Sequence, residues 1–228
     1  MIVVVGREPR ILPCVFQAFA DRSIRAHGVV LKRGEEASDL FDQMVELEAS
    51  VLIGVEHLAW CNKPFEPSSE DDDLLEHCLS AAAAPHRPQL VWVTSRPDSD
   101  AHLKKLRRSG VPYVIIRVCA LYPTHPAEGR HVWEQREILI PSDLPPPVSP
   151  IATPVIVGET VARVVEEDQS MGRVLDVGHG GANAWADLIA ALGGKPRKVS
   201  SLHARAWGFF GRPVLRISTE GVLSTGAR

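Results

Sequence analysis

The sequence predicts an α/β chain: a Rossmann-like, doubly wound parallel sheet with helices on both faces and a short C-terminal extension. Three features carry that reading. Ile2-Val-Val-Val5 is a run of β-formers ending at Gly6, and Ile11, Leu12, Val15, Phe16 and Phe19 then recur at helical spacing, so a strand turns through glycine into an amphipathic helix. Val111-Pro-Tyr-Val-Ile-Ile-Arg-Val118 is almost continuously apolar, the pattern of a strand buried on both sides of a parallel sheet. Strand-like and helix-like stretches alternate from one end of the chain to the other.

The opening turn is where such a fold grips a dinucleotide, and here it departs from the expected chemistry. Three glycines normally let backbone N–H groups approach the pyrophosphate and let the helix pack close to the strand. At the spacing G-x-x-G-x-x-G only Gly6 is kept, and the later positions hold Pro9 and Leu12. Proline has no N–H to offer a phosphate, and a leucine side chain fills space that close approach requires. A weakened or lost cofactor grip is the expectation.

His27-Gly-Val-Val-Leu-Lys32-Arg33 reads as a second strand ending in two cations, which would suit the 2′-phosphate of NADP or simply form a solvated strand end before Gly34. Ser38 to Glu48 has a short helical pattern, and Val51-Leu-Ile-Gly-Val55 reads as the next buried strand, close enough to the second that the usual third strand is expected to be absent or vestigial. His57 and Cys61 then follow a strand end, where small ligands dock in open α/β sheets. Glu70-Asp-Asp-Asp73 is read as negative charge on the first turn of a helix from Leu74 to Ala84, complementing its dipole, rather than as a metal site.

Gln89 to Ser95 is a strand that emerges at a hydroxyl pair, Thr94 and Ser95, and is followed by a helix from His102 to Arg108. The proline-rich stretch from Tyr122 to Pro154 shows little periodicity and is expected to be irregular and to carry the site. Val161 to Glu167 is a helix, Gly172 to Gly178 a strand, and Asn183 is expected to cap a helix from Trp185 to Leu192. The tail, with Trp207, Phe209, Phe210 and Val214 to Ile217, is apolar enough to dock on the body or on a second subunit. The 228 residues read as a single domain, with residues 1–122 as a nucleotide-binding-type core and 123–228 as a smaller substrate-side lobe.

A hydrophobic share of 45% and a charged share of 23% are those of an ordinary soluble chain, and a net charge of −3 gives no general pull toward nucleic acid or anionic membrane. No apolar run is long enough to span a membrane and no leader precedes the first strand, so a cytoplasmic location is expected. Cys14, Cys61, Cys78 and Cys119 are scattered without a C-x-x-C pair, which favours reduced thiols. No set of four converging ligands suggests a metal. Gly178-His-Gly-Gly-Ala-Asn183 lacks the Lys and Ser of a P-loop, and there is no Gly-x-Ser-x-Gly elbow.

The order of these pieces resembles the atypical and extended short-chain dehydrogenases, the group of sugar-nucleotide epimerases and NmrA-like proteins. Ile2–Gly6, Leu90–Ser95, Ser109–Arg117 and Pro154–Ala162 with Gly172–Gly178 carry the match; Glu159 stands where the family has an aspartate. The resemblance implies a tyrosine acid with a lysine four residues later and a serine that polarises the substrate oxygen. The chain departs from it: Tyr113 has Arg117 at that offset and Tyr122 has Pro126. Lys105, at Ala101-x-x-x-Lys105, is the lysine at family spacing, or else part of a solvated cationic face.

Two expectations follow. The first is a non-redox protein with degraded glycine and Tyr-Lys motifs, binding a small molecule in the cleft at the strand C-terminal ends or acting as an interaction subunit, as a homo-oligomer or with a protein partner. The alternative is an NADP-dependent reductase or sugar-nucleotide epimerase-like enzyme. In that enzyme Gly6, Arg7, Lys32, Arg33 and His57 would hold the cofactor, and Thr94, Ser95 and Lys105 would stand near the reacting centre. No metal, nucleic acid or membrane is expected in either.

Overall fold

The computed structural model describes residues 1–6, 8–30, 55–61, 88–95, 100–122, 136–167, 172–210, 213–217 and 223–226. The chain divides into two compact units, one of residues 1–118 and 154–177 and one of residues 119–153 and 178–228.

The first unit is built on a six-stranded sheet. Its strands are β1 (Ile2–Gly6), β2 (Ala26–Val30), β3 (His57–Trp60), β4 (Gln89–Thr94), β5 (Tyr113–Val118) and β9 (Arg173–Val177), in the order β2-β1-β3-β4-β5-β9. Every pairing is parallel. The inner strands are apolar because both faces are covered: all six residues of β4 are buried, as are all five of β1.

Side chains alternate across the pleat. Val3, Val5, Leu58, Trp60, Leu90, Trp92 and Ile115 therefore share one face, and Leu103 and Leu106 of helix α2 (Ala101–Ser109) close over them. Asp100 starts α2 by accepting from the His102 and Leu103 N–H groups, and Gly110, at φ 73°, ends it.

Helices α1 (Leu12–Asp21) and α3 (Pro154–Glu167) pack against each other, with α3 also resting on β4 and β5. Gly158 lets their backbones meet, since a Cβ there would lie 2.5 Å from the Cys14 carbonyl oxygen. At the far end Arg22 bonds Glu159 at 2.6 Å and lies 3.4 Å from Glu166. Together they make the doubly wound Rossmann-like arrangement that the alternating pattern predicts.

The expected strand at Val51–Val55 lies, except for Val55, outside the described residues. Val55 is buried ahead of β3, which forms at His57–Trp60 within a stretch read as loop. With a polar residue at its start and a polar stretch after it, four residues are too few to stand out by periodicity. Helix α3 begins seven residues earlier than expected, because Pro154 has no N–H to lose and a φ already suited to a first helical turn. The helices read at 38–48 and 74–84, and the acidic run at 70–73, lie outside the described residues.

The second unit contains a four-stranded sheet in the order β10-β7-β11-β12, from β7 (Glu137–Pro141), β10 (Lys195–Val199), β11 (Val214–Ile217) and β12 (Leu223–Gly226). Strand β7 runs parallel to both its neighbours, and β12 is antiparallel to β11. A small parallel pair joins β6 (Ala120–Leu121) to β8 (Ile151–Ala152). Helix α4 (Ala184–Ala191) buries Trp185, Leu188 and Ile189 against Ile138, Ile140 and Leu215. Helix α5 (Ser201–Phe209) sets Ala204 and Trp207 against Leu139 and Val214 on the opposite face.

The stretch expected to be irregular thus supplies β7, a strand buried at Ile138, Leu139 and Ile140. Strand β10 escapes a sequence reading because it is a cationic edge, where Pro196 costs no ladder bond. Asn183 occupies the N-cap position of α4 but makes no cap bond; its Oδ1 accepts from Lys198 Nζ at 3.0 Å instead.

Candidate ligand site at the carboxyl edge of the sheet

In a parallel sheet the strands' carboxyl ends form one edge, where ligands of open α/β folds bind. Gly6, Cys61, Thr94, Arg117 and Asp176 lie there in the first unit. Gly6 is required by its neighbour: a Cβ would stand 2.5 Å from the Cys61 carbonyl oxygen, where Cys61 donates its N–H to Val5 at 2.8 Å. Cys61 is fully buried, and burial pushes its thiol up to about 12, so it is no nucleophile at neutral pH.

The β1–α1 turn is closed on itself by Glu8. The backbone carbonyl of Glu8 accepts from the Ile11 N–H at 3.2 Å and the Leu12 N–H at 3.1 Å. Its buried carboxylate accepts the Arg10 N–H at 3.2 Å and clamps the Arg10 guanidinium by two further bonds, of 2.6 and 2.8 Å. Residues 10–12, leading into α1, thus have their backbone N–H groups engaged by Glu8, and Pro13 has none. Leu12, at the third glycine position, is buried, and Pro9, at the second, is exposed.

Thr94 is buried at the last position of β4 and Ser95 is half-buried just beyond it, so the structure brings Gly6, Thr94 and Ser95 to the same edge. Beside Thr94 in the register stand Arg117 and Asp176, joined by two bonds of 2.5 and 2.9 Å. The Arg117 hydrogen bonds hold the Asp176 carboxyl below the usual carboxylate range. This pair escaped sequence reasoning; its only signal was a cation and an acid near the ends of two apolar strands.

The other expected site residues fall elsewhere. Lys105 is exposed on α2, among residues that turn away from the buried Leu103 and Leu106. His57 does not follow a strand end: it is the first residue of β3, level with Ile2, at the opposite edge of the sheet. There its Nδ1 lies 2.8 Å from Gln89 Oε1. Arg7, Lys32 and Arg33 lie outside the described residues. Tyr113 lies in β5 and Tyr122 in the core of the second unit, so neither opens a helical Tyr-x-x-x-Lys motif. Among the described residues no group of three or more His, Cys, Asp or Glu side chains is placed to hold a metal ion, and no helix is long and apolar enough to cross a membrane.

No protein-family model matches the chain, and no curated protein sequence aligns with it significantly. Solved structures do match. A nucleoside-diphosphate-sugar epimerase from Staphylococcus aureus superposes with a TM-score of 0.54 at 15% identity, covering 91% of this chain and 84% of the epimerase. The triphenylmethane reductase of Citrobacter sp. gives 0.52 at 13% identity over 91% of this chain and 82% of the reductase. The same reductase complexed with NADP(H) gives 0.50 at 14%, over 90% and 81%. At such identities the likeness is one of architecture: the chain has the Rossmann-like fold of these epimerase and reductase structures.

Proposed function

We propose that the chain is a Rossmann-fold binding protein that takes a small molecule at the carboxyl edge of its sheet and does not carry out hydride transfer. The observation that carries this reading is Glu8, whose carbonyl and carboxylate consume the Arg10, Ile11 and Leu12 N–H groups that a dinucleotide would use. The lack of a helical Tyr-x-x-x-Lys pair points the same way. At the edge, Thr94 and Ser95 offer hydroxyls and the Arg117–Asp176 pair offers both charges, a set suited to a small polar ligand rather than to an extended diphosphate. With its cysteines scattered and lacking a C-x-x-C pair in the sequence, we place it in the cytoplasm.

A second reading is favoured by the Citrobacter reductase, which holds NADP(H) on the same fold. In it the chain is an NADP-dependent reductase or epimerase whose phosphates are gripped by Arg7, Lys32 and Arg33 instead of by the turn, with Thr94, Ser95 and Lys105 near the reacting centre.

A thermal-shift titration with NADP(H) and NAD(H) separates the two. A ligand at 100 times its dissociation constant adds about 2.7 kcal/mol of stability. The binding-protein reading predicts no shift with millimolar dinucleotide. A saturable shift abolished by Lys32→Ala with Arg33→Ala would overturn it in favour of the enzyme.

A further inference from the structure

The whole-chain charge of −3 conceals a segregated region. Between Asp187 and Glu220 there is no acidic residue, while Lys195, Arg197, Lys198, Arg205, Arg212 and Arg216 are cations. The same stretch holds the most exposed aromatic side chains described: Phe209 is 89% and Phe210 79% exposed, and Leu202 is 82% exposed.

Helical geometry gathers these groups. Leu202, Ala206, Phe209 and Phe210 recur at i, i+4, i+7 and i+8, so they line one face of α5, while Ala204 and Gly208 bury the other against the sheet. Two large, mostly exposed aromatics and a leucine make an apolar stripe far beyond the singly scattered residues normal on a surface. Three of the cations, Lys195, Arg197 and Arg205, belong to α5 or to the sheet face beneath it. In the register Arg197 is opposite Leu139, which packs with Ala204 of α5, so Arg197 and Lys195 emerge on the face that α5 covers. Arg197 is 3.2 Å from Glu137; Lys195 and Arg205 are exposed, with no acidic partner among the described residues.

We infer that α5 and the cationic edge strand β10 form a docking surface for an anionic phospholipid bilayer. A headgroup layer supplies the negative charge that Lys195 and Arg205 lack, and the acyl boundary beneath it accepts Leu202, Phe209 and Phe210. A two-fold contact between copies would set this acid-free stretch against itself. Single-stranded nucleic acid is served by rings that bases can stack on, whereas the Phe209 and Phe210 rings meet edge to face, with centroids 5.8 Å apart and planes at 87°, and Leu202 has no π-face. The surface acts from outside the bilayer and does not depend on what the first unit binds.

The test is co-sedimentation of the full chain with phosphatidylcholine vesicles, with and without about a quarter phosphatidylglycerol, alongside light scattering. The expected result is binding to the anionic vesicles only, weakened by salt and reduced roughly fivefold by each of Lys195→Gln and Arg205→Gln. Phe209→Ser with Phe210→Ser should abolish it while leaving the circular dichroism spectrum unchanged. Equal binding by that double variant, or no binding to anionic vesicles by the native chain, overturns the inference. So does a dimer in solution that the double variant dissociates without any vesicle binding.

Discussion

Glu8 and Arg10 decide the chemistry of the opening turn through a few hydrogen bonds. A carboxylate removed from water needs its partner, and Arg10 supplies both guanidinium bonds and a backbone N–H. Arg10→Met should therefore leave a buried, half-satisfied carboxylate and lower stability by about 2–3 kcal/mol, read as an earlier midpoint in urea denaturation. The Arg117–Asp176 pair is milder, because more than half of the Asp176 side chain faces solvent. Its depressed carboxyl contributes stability that is complete above the unfolded-state value of about 4 and is lost as pH falls through the lower folded value. Asp176→Asn should lower the neutral plateau of a stability–pH curve slightly, leave the acid extreme unchanged and so flatten the limb below about pH 4. An unchanged acid limb would remove the pair from that account.

Among the elements, the α1–α3 contact is the most sharply constrained. Gly158→Ala would force a methyl to within 2.5 Å of a backbone carbonyl, so the helices must separate; a loss of about 1–3 kcal/mol by denaturant titration is expected. Elements of this first unit were legible where burial leaves a mark on sequence. β1, β4 and β5 are apolar runs, and each sits within two residues of its expected bounds. Strand β3 was not, since its four residues start at a histidine and lead into polar sequence. His57 was placed at the wrong edge of the sheet as a direct consequence.

In the second unit β7 was hidden by flanking prolines and β10 by its cations, since an edge strand need not be apolar. The site was partly legible: Gly6, Thr94 and Ser95 do share an edge. The role of Glu8 was not, because nothing in Glu8-Pro-Arg10 reveals whether its carboxylate faces water or the turn.

At the scale of the whole molecule, an average charge does not show how the charge is distributed. The net charge is −3, while the stretch from Leu188 to Thr219 has six cations and no acidic residue in its sequence; the membrane proposal rests on that segregation. On the proposed reading, architecture alone does not give function. The sheet order β2-β1-β3-β4-β5-β9 is that of a nucleotide-binding fold, while the turn that would hold the nucleotide is filled by the chain's own carboxylate. The most direct check is a crystal structure of the chain grown with saturating NADP(H). Electron density showing Glu8 and Arg10 still joined, with no diphosphate against the Arg10, Ile11 and Leu12 amides, is the predicted result. A dinucleotide lying on those amides with Glu8 swung aside would contradict it.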